Sequence, residues 1–158
     1  MNKETLMLKQ ALSESKKHFL RLEKAAFNIK LFMPLNSQRY LILNDEEVAF
    51  IDQFIYRFSK LQDTIGTKLF KSVLLFLGED ITNKSFIDIF NRLEQLEIIN
   101  DYDLWLELRE LRNELAHDYE DDPKDTSEKI NNIFDKKEAL GKFLVDVERY
   151  LIGKGFNI

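Results

Sequence analysis

Four residues that can carry proton-transfer and phosphate chemistry lie within eight positions of the stretch ELRNELAHDY, residues 110–119. Arg112 offers a permanently charged guanidinium that matches a phosphate with two parallel hydrogen bonds. His117 is one of two histidines in the chain, and its imidazole titrates near neutral pH. Asn113 adds an amide that orients a histidine or holds a phosphate oxygen. The arginine, the asparagine and the histidine are residue types that suit acid–base cleavage of a phosphodiester, and Tyr119 follows two positions after the histidine.

The helix predicted to carry them can be resolved into faces at about 100° per residue. Three leucines lie within about 40° of Leu104 around the helix axis, and the four together predict a stripe that faces the core. The side of the helix that faces away from this stripe holds the polar residues of the motif together with Trp105 and Leu106. An exposed Trp–Leu pair is unusual in a monomer. The sequence therefore predicts that a second copy of the helix covers this side across a two-fold axis. The leucines are Leu104, Leu108, Leu111 and Leu115, and the side that faces away holds Trp105, Leu106, Arg109, Arg112, Asn113, Ala116, His117 and Tyr119.

Arg112 and His117 lie about 140° apart around this helix. Their side chains would have to reach around the helix, or act across a seam between two subunits. The spacing therefore favours a composite site, to which both copies of the chain contribute.

Helical spacing of apolar residues runs through nearly the whole chain, and strand signals are sparse. Pro34 interrupts the first predicted helix, and a connection follows it. Asp45 is predicted to cap a long second helix, which bends near Gly66 and ends at Gly78. Pro123 lies just past the fourth helix. The pattern predicts an all-α, up-and-down bundle of about five helices, within residues 4–27, 45–78, 82–99, 100–122 and 126–152, that forms a single domain over residues 1–158.

Composition limits the classes of function. The chain has no cysteine, which excludes disulfides and thiolate metal sites. Its net charge of −5 is unusual for a dedicated duplex-DNA binder, although a local basic cleft remains compatible with it. We see no signal peptide and no apolar run long enough to cross a bilayer, and we expect a cytoplasmic protein without a membrane partner.

The stretch RNELAH, from Arg112 to His117, matches R-x4-H with a polar residue directly after the arginine, and RNELAHDY extends it to R-x4-H-x-Y. In these eight residues the chain resembles the HEPN superfamily, and within it the HepT-like toxins of HEPN/MNT toxin–antitoxin modules. The helical layout of nearly the whole chain is compatible with that family.

The resemblance implies a HEPN-like homodimer whose two motifs meet in a cleft and cleave RNA as a metal-independent endoribonuclease, without a cofactor. It implies that Arg112, Asn113 and His117 are the catalytic residues. It also implies a type VII-like system, in which a cognate minimal nucleotidyltransferase antitoxin adds AMP to Tyr119 and silences the toxin.

Other readings of the same residues remain open. The protein could be a non-catalytic substrate-binding subunit of a nucleotidyltransferase with the same fold, or a purely structural bundle. In the structural reading, His117 compensates the helix dipole and Arg112 pairs with a surface acid such as Asp118. Elsewhere, His18 is interpreted as a surface residue, YRFSKLQD (residues 56–63) as a segment that could line an RNA cleft, and EDDPKD (residues 120–125) as a solvated loop.

Overall fold

Side-chain caps define where most of the helices begin in the computed structural model, which describes residues 1–117 and 122–157. Asn2, Asn44, Ser85 and Asp122 each accept hydrogen bonds from backbone N–H groups in the first turn that follows. Asn44, rather than the expected Asp45, is the cap of its helix. The helices are α1 (Lys3–Ile29), α2 (Ser37–Leu41), α3 (Asp45–Thr64), α4 (Phe70–Phe76), α5 (Phe86–Gln95), α6 (Tyr102–His117) and α7 (Pro123–Gly153), with a 3-10 turn at Lys30–Phe32 and a π-helical turn at Ile65–Leu69.

The long helices α1, α3, α6 and α7 form a ring in which each packs against its two neighbours. Contacts between neighbouring helices show that the helices run antiparallel, because residues with increasing numbers along one helix contact residues with decreasing numbers along the next. The structure is therefore an all-α, up-and-down bundle, and its described residues contain no strand. The pairs are Glu14–Lys68 and His18–Arg57, Asp63–Arg112 and Gly66–Trp105, Glu107–Lys136 and Glu114–Lys129, and Lys16–Glu148 and Phe19–Gly141.

The predicted second helix is three successive elements, α3, the π-helical turn and α4. In the turn, the N–H of Phe70 bonds to the carbonyl oxygen of Ile65, five residues back, instead of four. The predicted bend at Gly66 lies in this turn. A Cβ at Gly66 would lie 2.9 Å from Cζ2 of Trp105, so glycine permits α6 to approach closely here.

An aromatic cluster fills the core where α4, α5, α6 and α7 meet. Trp105 lies at its centre, 5.1 Å from the ring centroids of both Phe70 and Phe143, and it stacks on Phe86 at 5.8 Å. Such ring pairs stabilise a core beyond the burial of their area. The cluster fixes α6, and with it the RNELAH stretch, against the rest of the bundle.

Several elements differ from the sequence-based predictions. Near the end of α1, Phe27 is exposed although it continues the apolar spacing of the first predicted helix, and Ala26 and Ile29 are buried instead. The predicted connection after Pro34 contains the short helix α2. Asp122, predicted to lie in a solvated loop, caps α7, and Pro123 occupies the first turn of that helix, where its missing N–H costs nothing.

Candidate functional site

Arg112 is held between α6 and α3 by two hydrogen bonds to its guanidinium. Its Nη2 donates to Oδ2 of Asp63 at 2.7 Å, and its Nη1 donates to Oδ1 of Asn113 at 2.8 Å. The side chain of Arg112 is 28% exposed and that of Asp63 is 45% exposed. The Nε of Arg112 is buried and has no hydrogen-bond partner within the described part of the chain. The guanidinium is therefore oriented by the protein, while part of its surface faces solvent.

The buried face of α6 differs from the predicted one. Trp105 is only 2% exposed, and it shares the core with Leu108 and Leu115. The inward direction is therefore rotated by about 40° from the centre of the leucine stripe. Trp105 belongs to the core of its own chain, so the expectation that a second copy covers it is wrong. The rotation also brings Arg112 to the edge of the inward face, where it reaches α3.

The remaining motif residues lie at the end of α6. Asn113 is exposed and accepts a hydrogen bond from Arg112. His117 is the last residue of α6, and its side chain lies outside the described residues, as does the whole of Tyr119. The structure therefore brings Arg112 and Asn113 together and adds Asp63, which the sequence analysis did not select.

Two grooves run along the seam between α6 and the α3–α4 segment, and both include Asp63 and Arg112. The first, named here the Arg109 groove, has a volume of about 240 Å³ and lies beside the π-helical turn. The second, the Tyr56 groove, has a volume of about 360 Å³ and lies beside α3. The Arg109 groove is lined by Gln62, Asp63, Gly66, Thr67, Lys71, Lys84, Phe86, Trp105, Arg109 and Arg112. The Tyr56 groove is lined by Asp52, Ile55, Tyr56, Ser59, Lys60, Asp63, Arg112, Leu115 and Ala116.

The Arg109 groove is basic although the whole chain is acidic. Four cationic side chains line it, Lys71, Lys84, Arg109 and Arg112, against the single carboxylate of Asp63. Such a concave basic surface attracts and concentrates anions. The Tyr56 groove brings part of YRFSKLQD beside Arg112, with Lys60 and the half-exposed ring of Tyr56 on its wall. Part of the segment therefore lies along the same seam as Arg112.

Gln62 is the polar residue that sequence reasoning missed. It lies on the wall of the Arg109 groove and is 3% exposed, and neither its amide nitrogen nor its amide oxygen has a hydrogen-bond partner among residues 1–117 and 122–157. Its position in the sequence contained a signal. Gln62 follows Phe58 by four residues and precedes Ile65 by three, so it occupies a core position of the helical pattern with a polar side chain.

His18 was interpreted as a surface residue, and this was wrong. Its side chain is only 13% exposed and contacts Arg57, with 3.2 Å between Nδ1 and Nη1. Burial and the neighbouring charge of Arg57 lower the pKa of His18, against the smaller opposing effect of Glu14. The pKa of Glu14 is itself lowered, mainly by its hydrogen bond from Lys68. This cluster joins α1 to α3 and lies outside both grooves.

Within residues 1–117 and 122–157, no helix is both long and apolar enough to cross a membrane. The same residues contain no group of three or more His, Cys, Asp or Glu side chains placed to hold a metal ion. Comparisons of the chain with protein-family models, with curated proteins and with solved structures found no match.

Proposed function

We propose that this protein is a metal-independent endoribonuclease, the toxin of a HEPN/MNT toxin–antitoxin pair. The observation that carries the proposal is the placement of Arg112, the arginine of the R-x4-H motif. Its guanidinium is oriented by Asp63 and Asn113 and lies on a seam that contains a basic groove. An arginine held in this way is suited to bind the phosphate of an RNA chain.

In the proposed reaction, a base removes the proton of the ribose 2′-hydroxyl, and the 2′-oxygen attacks phosphorus. The bond between phosphorus and the 5′-oxygen breaks, and an acid protonates that oxygen. The products are a 2′,3′-cyclic phosphate and a free 5′-hydroxyl. Arg112 stabilises the additional negative charge of the transition state. His117 supplies acid–base catalysis, since its type suits proton transfer near neutrality.

We propose that the active form is a homodimer. The positions of Arg112 and His117 remain about 140° apart, because α6 is helical as far as His117. A site formed by the Arg112 of one subunit and the His117 of the other removes that separation. Two histidines would also divide the acid and base roles between them. Leu106, which is exposed on the outer side of α6, is available for such a contact.

The proposed partner is a minimal nucleotidyltransferase that adds AMP to Tyr119. An added nucleotide brings negative charge and bulk close to the motif, where it competes with RNA for the guanidinium of Arg112. The RNELAHDY stretch supports this part of the proposal through the tyrosine two residues after the histidine.

One observation favours the alternative, a non-catalytic subunit that binds the substrate of a nucleotidyltransferase. Arg112 is already paired with Asp63, which partly neutralises it. A partly neutralised arginine gives less stabilisation to the negative charge that develops in a transition state. Cleavage that depends on His117 separates the two functions.

The test is cleavage of a labelled RNA by the purified protein in EDTA. Wild type should cut, whereas His117→Ala and Arg112→Ala should each lose most of the activity, on the order of 100-fold or more for removal of a group that acts in the transition state. His18→Ala removes the other histidine and Arg149→Ala removes an exposed arginine of α7, and both should cut as wild type does. Mass spectrometry should show that Tyr119 carries no AMP. If folded, unmodified wild-type protein does not cut, the endoribonuclease proposal fails and the binding subunit is favoured.

A further inference from the structure

Three of the four cationic side chains of the Arg109 groove differ from Arg112 in having no acidic partner among the described residues. Arg109, Lys71 and Lys84 are exposed, and among the described residues none of them forms an ion pair within 4 Å. The charge of Lys84 also acts on the nearby carboxylates of Asp80 and Asp88, so Arg109 and Lys71 are the more available pair. Unpaired cations on the wall of one concave surface indicate an anionic ligand.

The Gln62 amide is a second, independent indication of a ligand. Buried polar side chains almost always have hydrogen-bond partners, and an amide left without them costs stability. On the wall of this groove, Gln62 has one donor group and one acceptor group that no described residue satisfies. A ligand that both accepts and donates hydrogen bonds would satisfy them.

We propose that the Arg109 groove binds one nucleotide of a single-stranded RNA, next to the phosphate that Arg112 holds. Arg109 and Lys71 bind the phosphate of this nucleotide, and the amide of Gln62 hydrogen-bonds to its base. A base edge offers donors and acceptors side by side, which matches an amide. The amide lies just beneath the surface of the groove, so binding includes a rotation of the Gln62 side chain. The choice of RNA rests on the proposed function, whereas the choice of a nucleotide rests on the groove.

The phosphate and base chemistry is shared by a free mononucleotide and by a nucleotide within RNA. Continuity with Arg112 favours RNA, because the groove and the ion-paired arginine lie on one seam, and a chain can place successive phosphates on both. An acidic peptide also carries anionic groups and backbone hydrogen-bonding groups, so competition by poly-glutamate is one arm of the experiment.

The experiment measures binding of a fluorescent 2′-O-methyl RNA hexanucleotide, which cannot be cleaved by attack of the 2′-hydroxyl. Arg109→Ala and Lys71→Ala should each weaken binding roughly tenfold, as loss of a hydrogen bond to a charged group does. The slope of log K against log salt should fall by about 0.7 for each lost phosphate contact. Arg149→Ala, a matched change on α7 away from both grooves, should bind as wild type does.

Gln62→Leu distinguishes a ligand-binding amide from one that is merely buried. Either role predicts a more stable protein, because an unsatisfied amide is replaced by an apolar group of similar size. Only the proposed role predicts RNA binding that is also several-fold weaker and less dependent on base identity. Unchanged affinity for every homopolymer hexanucleotide would overturn the assignment of Gln62.

The remaining outcomes separate the sources of the ligand and the two proposals. If AMP displaces the labelled hexanucleotide at lower concentrations than unlabelled hexanucleotide does, RNA is overturned as the ligand. If poly-glutamate displaces the labelled hexanucleotide as strongly as unlabelled RNA does, a nucleotide is overturned as the ligand. If wild type cleaves RNA but Arg109→Ala binds and cuts equally well, this inference fails and the proposed function stands. If binding depends on Arg109 but no RNA is cut, the proposed function fails and this inference stands.

Discussion

Replacement of Asp63 by asparagine tests the role of Arg112 with opposite effects on stability and on binding. The substitution keeps the size of the side chain and removes the carboxylate that accepts the 2.7 Å hydrogen bond from Arg112. The pair is partly exposed, so its loss should lower the free energy of unfolding by only about 0.5–1 kcal/mol. RNA binding should become tighter, because the carboxylate no longer competes with a phosphate for the guanidinium.

The size of the gain follows from Coulomb's law. A phosphate on the free part of the Arg112 guanidinium would lie about 6 Å from the Asp63 carboxylate, where two like charges repel by about 0.7 kcal/mol in water and by about 2.8 kcal/mol at an effective dielectric constant of 20. Since about 1.4 kcal/mol corresponds to a tenfold change, the first value gives roughly threefold tighter binding and the second roughly a hundredfold. The partial exposure of Asp63 favours the lower part of this interval, from about threefold to tenfold.

The assay is fluorescence anisotropy with the uncleavable hexanucleotide, together with urea denaturation. Asp135→Asn is the matched control, since it removes one negative charge from an exposed position of α7 that lines neither groove. Both variants change the formal net charge from −5 to −4, so any difference in RNA affinity between them reflects the position of the removed carboxylate. If Asp63→Asn binds RNA no more tightly than Asp135→Asn does, Arg112 is not the phosphate ligand that we propose.

Two further predictions concern stability. Gly141→Ala should destabilise the protein by roughly 1–3 kcal/mol and lower its Tm by several degrees, because a Cβ would lie 2.2 Å from Cε2 of Phe19, and this overpacking outweighs the gain of about 1 kcal/mol in helix propensity. The control is Gly153→Ala in the same helix, whose added Cβ would meet nothing within 4 Å, so its Tm should stay the same or rise. An equal rise of the Tm in both variants, measured by calorimetry, would contradict the predicted clash at Gly141. The second prediction is for His18→Gln. Burial and the charge of Arg57 lower the pKa of His18 below its ordinary 6.5, so the folded protein favours the neutral ring. The neutral ring therefore contributes to the free energy of unfolding above pH 6.5, and this contribution is lost as the pH falls below 6.5. Wild type should therefore lose more stability than His18→Gln between about pH 7 and about pH 5 in urea denaturation, and parallel curves would refute the assignment.

The fold could be predicted well where apolar periodicity alone decides it. The long helices α1, α6 and α7 follow from residues spaced three and four apart, with ends that shift by a few positions. The π-helical turn could not be predicted in this way. Gly66 of this turn lies against Trp105, a contact between residues distant in the sequence, and the sequence indicated only that the helix is irregular near Gly66.

The candidate site could be predicted only in part, for a similar reason. Arg112 and Asn113 are recognisable from their types and spacing, and they do meet. The partner of Arg112 is Asp63, which lies 49 positions earlier in the chain, and no local pattern connects the two. Trp105 was placed on the wrong face because the leucine stripe alone set the centre of α6. A single large aromatic residue can shift the buried face as far as several leucines do.

The π-helical turn allows this part of the chain to gain or lose one residue without turning the helices on either side of it. The N–H of Phe70 bonds to the carbonyl oxygen of Ile65 five residues back, so the turn holds one residue more than a regular α-helical turn does. Loss of one residue between Ile65 and Leu69 would restore the regular spacing of four and leave Phe70 one turn above Ile65, as it lies now. Phe70 would keep its place in the aromatic cluster, and Lys71 would keep its place on the wall of the Arg109 groove. A homologue that lacks this residue should therefore keep the same groove chemistry.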